Sequence, residues 1–343
     1  MEIINSNKFA DLSNKIFSEV VSEKKFLEKK RHHELNILQT HTVNSEKFIW
    51  YISSSLKINN NDIIYCQTEV VSLLFDLLKK ERLNNLTLIT HQSDKAVTKR
   101  LYSKKPKSIR RWFAVNAKHV DSNLFPIPLG VNNDYMTGYP IESDFTVKNF
   151  LDFHNKDEHI YMNYNVNTRF LQRFHLQKKF KNSKNFMFSE HTLNKTEYLN
   201  NLKKYKYVIC PWGNGIDTHR IWESIYSSSI PITKKNNAFN KFIDLPIIFV
   251  DSYKDLAKPL KLLNYEEFSF ENSMVDFNYW KSLIKDNRSN QDNYFDQTKE
   301  VDISFNFPKY FKLFTRKRKM KHRYKKFRYF IFRVYKKLIN LLR

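Results

Sequence analysis

A short segment, residues 205–235, combines two closely spaced glycines with an arginine and a glutamate at helical spacing. Gly213 and Gly215 are two of only four glycines among 343 residues. Glycine permits positive φ and lets another group approach the main chain closely. Arg220 and Glu223, three residues apart, would share one side of a helix. A guanidinium suits a diphosphate and a carboxylate suits ribose hydroxyls, so this spacing predicts a nucleotide-binding turn.

The flanking sequence places that turn between a strand and a helix. Tyr207–Cys210 is an apolar run typical of a buried strand, and Thr218–Ser227 has helical periodicity. Ligands bind beyond the carboxyl ends of strands in open α/β sheets, and helix N-termini attract phosphate. We therefore expect Asn214 and Asp217 to contact the ligand, and Trp212 to stack on its base or sugar. The alternative is an ordinary glycine turn before an amphipathic helix.

Polar residues that could move a proton follow another apolar run, Leu86–Thr90. His91 and Asp94 lie in the loop directly after it, where a general base for a hydroxyl nucleophile could stand. Glu69 is a third candidate for the same role. The alternative is that Ser93 and Asp94 only cap the next helix. The sequence favours Asp94 without excluding the others.

Apolar runs and helical segments alternate along most of the chain. Residues 1–60 are mixed and polar, and they predict mainly helix and loop. A strand–helix rhythm begins at residue 60, stops in the turn-rich stretch 138–157 and then restarts. This rhythm predicts an α/β protein with parallel sheets covered by helices. The predicted domains are residues 1–145, residues 146–308 and a basic tail at residues 309–343.

The run CPWGNGIDTHRIWESIYSSSIPI resembles the donor-site signature of exostosin-like glycosyltransferases (glycosyltransferase family 47). That signature reads Pro-x-Gly-x-Gly-x-Asp-x-x-Arg-x-Trp-Glu and ends in Ile-Pro-Ile, in register here from Pro211 to Ile232. One departure is that Ser228 or Ser229 stands where the family usually has glycine. Thinner similarity extends to the loop at 91–94 and to residues 112–116 and 163–169.

The resemblance implies a GT-B fold, in which two Rossmann-like domains face each other across a cleft. The nucleoside diphosphate-sugar would lie on the C-terminal domain, and a glycan or lipid-linked glycan acceptor on the N-terminal one. The resemblance also implies inversion at the transferred sugar. No Asp-x-Asp pair occurs in the sequence, so we expect no metal and no cofactor. Arg220, helped by Arg169 or Arg173, would neutralise the leaving diphosphate.

Basic residues are concentrated at the end of the chain. The net charge is +24, and residues 309–343 contain fifteen Lys and Arg with no Asp or Glu. Phe327, Ile331, Val334, Leu338 and Leu341 recur there at helical spacing. This pattern predicts an interfacial helix on an anionic membrane surface. The alternative is nonspecific RNA binding, which we do not expect to be the main function.

Other features of the sequence bear on location. Two cysteines cannot form a disulfide framework, and no apolar stretch resembles a signal peptide or a membrane span. We therefore expect a cytoplasmic glycosyltransferase, peripheral on the inner face of the membrane, that acts in cell-surface polysaccharide or glycolipid synthesis. The alternatives are a fucosyltransferase-like GT-B enzyme and a non-enzymatic nucleic-acid-binding protein.

Overall fold

The chain folds into a mixed α/β structure with two main sheets, as seen in a computed structural model. This confirms the predicted α/β class. The structure describes residues 1–43, 45–136, 138–145, 153–190, 192–257, 272–286 and 300–341.

The first sheet has seven strands in the order β2-β3-β1-β5-β6-β7-β8. Strands β1, β5, β6, β7 and β8 pair in parallel, whereas β2 and β3 are antiparallel to their neighbours. The carboxyl ends of the parallel strands therefore share one edge of the sheet. The strands of this half are β1 (Lys15–Ser22), β2 (Leu35–Val43), β3 (Glu46–Ser53), β4 (Ser55–Ile58), β5 (Ile63–Gln67), β6 (Leu86–His91), β7 (Ile109–Ala114) and β8 (Leu124–Pro126).

The prediction for residues 1–60 was wrong, because this region contributes four strands. Strand β3 is buried over its last six residues, whereas β2, at the sheet edge, is mostly half-buried or exposed. The charged residues that suggested helix lie largely in and around the helix Glu23–Lys30, whereas β2 carries uncharged polar side chains, which an antiparallel edge strand can turn to water.

The second sheet has five strands, all parallel, in the order β10-β9-β11-β12-β13. The chain starts at β9, moves outward to β10 and then crosses to the other side of β9 to form β11. The strand order therefore reverses between β9 and β11, which is the usual location of a ligand site in such sheets. These strands are β9 (Asp157–Met162), β10 (Phe186–Phe188), β11 (Tyr205–Ile209), β12 (Ile230–Lys234) and β13 (Ile248–Val250).

Helices connect and cover these strands. The helix predicted at Thr218–Ser227 is confirmed within one residue at each end. After β13 the chain forms a 3-10 turn at Tyr253–Ala257. The helices are α1 (Ser6–Asp11), α2 (Glu23–Lys30), α3 (Val71–Leu78), α4 (Lys99–Tyr102), α5 (Phe170–Phe180), α6 (Lys195–Lys204), α7 (His219–Tyr226), α8 (Phe277–Asp286) and α9 (Phe307–Leu341).

The two sheets share one hydrophobic cluster. Ile89 and Phe113 of the first sheet belong to the same buried cluster as Tyr161 of the second sheet and Trp222 of α7. Hydrogen bonds also cross between the halves, for example from the Ile4 amide to the Tyr226 hydroxyl. The edges of the two sheets are thus held in a fixed relation, and groups from both can meet at one site.

The end of the chain returns to the N-terminal half. A short strand, β14 (Val301–Ser304), pairs with β4. Arg111 of β7 donates hydrogen bonds to the carbonyls of Leu283 and Ile284 in α8. Parts of the predicted second domain, residues 146–308, therefore pack on residues of the first. The predicted boundary at residue 145 borders residues that the structure does not describe, so it stays a prediction.

The predicted tail is one long helix, α9. Its first turns pack on the N-terminal half, where Phe307, Tyr310, Phe311 and Phe314 lie against the core cluster beneath β1, β5 and β6. Within the described part of the chain, no helix is both long and apolar enough to span a bilayer.

Candidate functional site

The point where strand order reverses carries an aromatic and cationic pair. Arg169 follows β9 and precedes α5, with an exposed side chain and left-handed backbone at φ 50°. Trp212 follows β11, and the guanidinium carbon of Arg169 lies 4.8 Å from the centre of its indole ring. The Trp212 indole N–H donates to the carbonyl of Lys234. Arg169 thus covers one face of the Trp212 indole. A base or sugar could stack there only in place of this guanidinium, or on the other face of the ring.

Arg173, one turn into α5, is a buried arginine whose side chain donates hydrogen bonds to the backbone of two loops. Its Nε donates to the carbonyl of Trp212 at 3.0 Å, and one terminal nitrogen donates to that of Pro211 at 2.8 Å. The other terminal nitrogen donates to Asn165 and Thr168. Arg173 therefore joins the loop after β9 to the loop after β11.

Arg220, in the first turn of α7, is bound differently. Its Nε is buried and has no hydrogen-bond partner within the described residues. Its guanidinium carbon lies 5.6 Å from the ring centre of Tyr198 in α6. The hydroxyl of Tyr198 donates to Glu223 at 2.7 Å, which fixes the ring beneath the guanidinium. The protein thus orients Arg220 but leaves part of its donor capacity unused.

Two guanidinium groups are close enough to influence each other. Burial lowers the pKa of Arg173 to about 10, and the charge of Arg220 adds to that shift. Burial raises the pKa of the Cys210 thiol, at the end of β11, to about 12, and Arg220 opposes this shift. The positive charge of Arg220 therefore acts at the carboxyl end of β11. Like charges placed together favour binding of an anion between or beside them.

The two glycines of the turn serve for close approach rather than for positive φ, which neither adopts. A Cβ on Gly215 would lie 3.0 Å from the Nδ2 of Asn116 and 3.3 Å from the Oδ1 of Asp94. A Cβ on Gly213 would lie 3.3 Å from a terminal nitrogen of Arg173. The turn is therefore confined between the first sheet and α5. Of the two reasons proposed for glycine, close approach of another group applies here and positive φ does not.

Asn116, just after β7, attaches this turn to the N-terminal half. Its Oδ1 accepts from the amides of Ile216 and Asp217, both at 2.8 Å, and its Nδ2 donates to the carbonyl of Ser93. The amides of these two residues, which precede the N-cap Thr218 of α7, are thus occupied, and the phosphate contact predicted for the helix N-terminus stays a prediction. Sequence reasoning gave Asn116 no role at the site; the available signal was its position directly after a buried strand.

Asp217 lies in this interface and not at an open surface. Its carboxylate accepts from the Leu129 amide at 2.8 Å and from the Trp222 indole at 3.0 Å. Burial raises its pKa to about 7, against the hydrogen bonds that favour the charged form. Next to it, His219 contacts the carbonyl of Gly130 at 2.7 Å. Asp217 therefore links the halves, and its predicted contact with the donor stays a prediction.

Glu223 is also buried among protein groups. One carboxylate oxygen accepts from Tyr198 at 2.7 Å and the other from Asn132 of the N-terminal half at 3.4 Å. Burial raises its pKa above the ordinary value for glutamate. Both carboxylate oxygens of Glu223 therefore have protein partners. The role that the structure gives this side chain is to hold the Tyr198 ring under Arg220. The ribose contact predicted for it stays a prediction.

The two candidate bases differ in exposure. Asp94 is exposed and lies against Gly215, so a carboxylate of the first sheet meets the turn of the second. His91 is fully buried, with Nε2 on the Pro128 carbonyl and Nδ1 accepting from the Gln92 amide. Burial lowers the pKa of His91 to about 4. With both nitrogens engaged, His91 has no free lone pair for an acceptor proton, so the geometry favours Asp94.

The remaining candidates lie around this centre. Asn214, between the glycines, is exposed. Glu69 forms an ion pair with Lys321 of α9 at 3.2 Å. In the part of the chain that the structure describes, no group of three or more His, Cys, Asp or Glu is placed so that it could hold a metal ion. Among the described residues, the charged side chains near the turn that could still bind a ligand are Arg220, Arg169 and Asp94.

Comparison with known proteins adds no relative to this description. No protein-family model matches the chain, and no curated protein matches it significantly. The resemblance to exostosin-like glycosyltransferases therefore depends on the residues from Pro211 to Ile232, with the thinner similarity at 91–94, 112–116 and 163–169.

Proposed function

We propose that this protein is a glycosyltransferase that takes a sugar from a nucleoside diphosphate-sugar. One observation carries the proposal. Arg220, a half-buried arginine whose Nε is buried and has no partner among the described residues, lies where the strand order of a parallel sheet reverses, beside a glycine turn. Such positions bind nucleotides in many α/β proteins, and a guanidinium matches the geometry of phosphate oxygens.

The proposal also assigns the two sheets to the two halves of a GT-B fold. The all-parallel sheet β10-β9-β11-β12-β13 would be the donor half of a GT-B enzyme, and the seven-stranded sheet the acceptor half. The signature at Pro211–Ile232 lies in the donor half of this arrangement. Asn116 and Asp217 would then hold the halves in register at the glycine turn.

The chemistry follows from the charges at the turn. An acceptor hydroxyl attacks the anomeric carbon of the donor sugar, and the bond from that carbon to the phosphate oxygen breaks. The departing diphosphate gains negative charge, which Arg220 and Arg169 stabilise electrostatically. Asp94 takes the proton of the acceptor hydroxyl, as a general base on the side of the first sheet. Tyr198, held by Glu223, keeps the Arg220 guanidinium in place.

A nucleotide panel tests the proposal. We expect a nucleoside diphosphate among UDP, GDP and ADP to raise the melting temperature more than CMP does, because a bound ligand stabilises the folded state. Arg220→Ala should weaken that binding by about 10- to 100-fold, the range for loss of charge-assisted hydrogen bonds. It should also abolish sugar transfer. Arg100→Ala removes an exposed arginine in α4 and is the matched control.

Two outcomes would reject the assignment. If no diphosphate stabilises the protein, the site does not bind the proposed donor. If Arg220→Ala binds and turns over as the parent does, the central arginine has no part in it. A response to GDP alone would favour the fucosyltransferase-like alternative, since the panel separates donor classes by base.

A further inference from the structure

The long C-terminal helix, α9, is fixed to the body at its start. The ring of Phe314 lies 5.3 Å from that of Trp50, and the guanidinium carbon of Arg318 lies 5.3 Å from the same indole. Lys321 forms an ion pair with Glu69. The residues from 322 to 341 continue the same helix for about 30 Å, at 1.5 Å per residue.

A stripe of exposed apolar side chains runs along α9. At 3.6 residues per turn, its members fall within about 80° of one another around the helix axis. Each is at least 43% exposed, and Phe327 is 59% exposed. The apolar stripe consists of Leu313, Met320, Tyr324, Phe327, Ile331 and Val334.

The apolar stripe does not face the body of the protein. Phe314 and Phe311, which pack on the N-terminal half, point about 120° and about 180° away from the middle of the stripe around the helix axis. Leu313 belongs to the same turns and is nevertheless 52% exposed. The stripe therefore begins beside the body but is directed outward, away from the core of the protein.

Charge decides which partner fits. Residues 309–343 hold fifteen Lys and Arg and no acidic residue. A second copy of the helix would bring two such sets of like charges together, which opposes association. RNA would accept the basic residues, yet it offers no partner for a stripe that contains Leu, Met, Ile and Val. An anionic bilayer satisfies both features, because the stripe enters the acyl boundary while Lys and Arg remain at the headgroups.

We propose that α9 docks this protein on an anionic lipid surface through the apolar stripe. The helix lies in the plane of the interface, and its fixed first turns hold the body against that plane. This surface is separate from the turn at Gly213–Gly215, so the inference does not depend on the proposed transferase activity.

Co-sedimentation with vesicles tests the docking. The parent should bind phosphatidylcholine vesicles that contain phosphatidylserine, and bind poorly to those without it. The triple variant Phe327→Ala, Ile331→Ala and Val334→Ala keeps every charge and favours helix. It should bind the anionic vesicles about 100-fold more weakly, because apolar area no longer enters the bilayer. Its affinity for single-stranded RNA should be unchanged.

The control replaces three exposed apolar residues elsewhere, Val120→Ala, Leu171→Ala and Ile243→Ala, and should bind vesicles as the parent does. Equal vesicle binding by the stripe variant and the parent would overturn the proposal. So would a parent that binds RNA but neither kind of vesicle, which would assign the helix to nucleic acid. Deleting residues 309–343 is a poorer test, because it would also remove Phe311 and Phe314 from the core.

Discussion

Two arginines at the ends of β9 and β11 show opposite uses of the same side chain. Arg173 is 5% exposed and donates to the carbonyls of Asn165, Pro211 and Trp212. Arg220 is held over Tyr198, and its buried Nε donates to no described group. A guanidinium whose N–H groups all donate to backbone carbonyls fixes the backbone. A guanidinium with an N–H group that has no partner can still bind an anion.

The difference originates in position. Arg173 lies in α5 between two loops whose carbonyls converge on it. Arg220 lies at the start of α7, where the turn before the helix is already attached to Asn116 and Asp217 is tied to Leu129. The protein thus satisfies the backbone of the turn by other groups and leaves Arg220 out of that task. Because of this separation, structure and ligand binding should respond to different mutations.

The largest effect on stability should come from Arg173→Ala. This change removes the donor of one buried and two partly buried carbonyls, and we expect a loss of about 3 kcal/mol in the free energy of unfolding. Arg220→Ala should change it by less than about 1 kcal/mol, since no hydrogen bond of its Nε is lost. Urea unfolding of both variants measures this. Similar losses in the two would erase the distinction between them.

An effect that appears as a slope against pH, and not as a loss at one pH, should come from Asp217→Asn. The folded-state pKa of Asp217 is raised to about 7 from an ordinary value of 3.8, so the folded state holds this proton more tightly than the unfolded state. Its contribution to stability therefore falls as pH rises from about 4 to 7, by at most about 1.4 kcal/mol per pH unit. The Asn variant should lack this part of the slope. Parallel pH profiles of parent and variant would contradict the prediction.

The smallest effects should come from the glycines, and they should be unequal. Gly215→Ala places a Cβ 3.0 Å from Asn116 and should cost about 1–2 kcal/mol in the free energy of unfolding. Gly213→Ala places one 3.3 Å from Arg173 and should cost less than about 1 kcal/mol, since alanine also restricts the unfolded chain. Thermal unfolding of the pair gives the order. A larger loss at Gly213 would mean that α5, and not the first sheet, confines the turn.

Much of the second sheet could be predicted from sequence, because its central strands β11 and β12 are buried almost throughout and appear as apolar runs. The strand at Tyr205–Ile209 and the helix at His219–Tyr226 fall within two residues of their predicted ends. The first sixty residues could not be predicted in this way. Strand β2 lies at the sheet edge, where partly exposed polar side chains obscure the period of two, and β3 beside it is buried over its last six residues and shows no alternation.

The sequence by itself determined the order of strands and helices in the second half, the glycine turn and the excess of positive charge in α9, because these depend on local pattern and composition. Only the tertiary structure decided which polar side chains are already engaged in hydrogen bonds within the protein. His91, Asp217 and Glu223 resemble site residues in sequence, yet each is buried with partners far along the chain or across the interface. Hydrogen-bond saturation depends on neighbours that no local spacing specifies, so Arg220 could be distinguished from Arg173 only after the loops had been brought together.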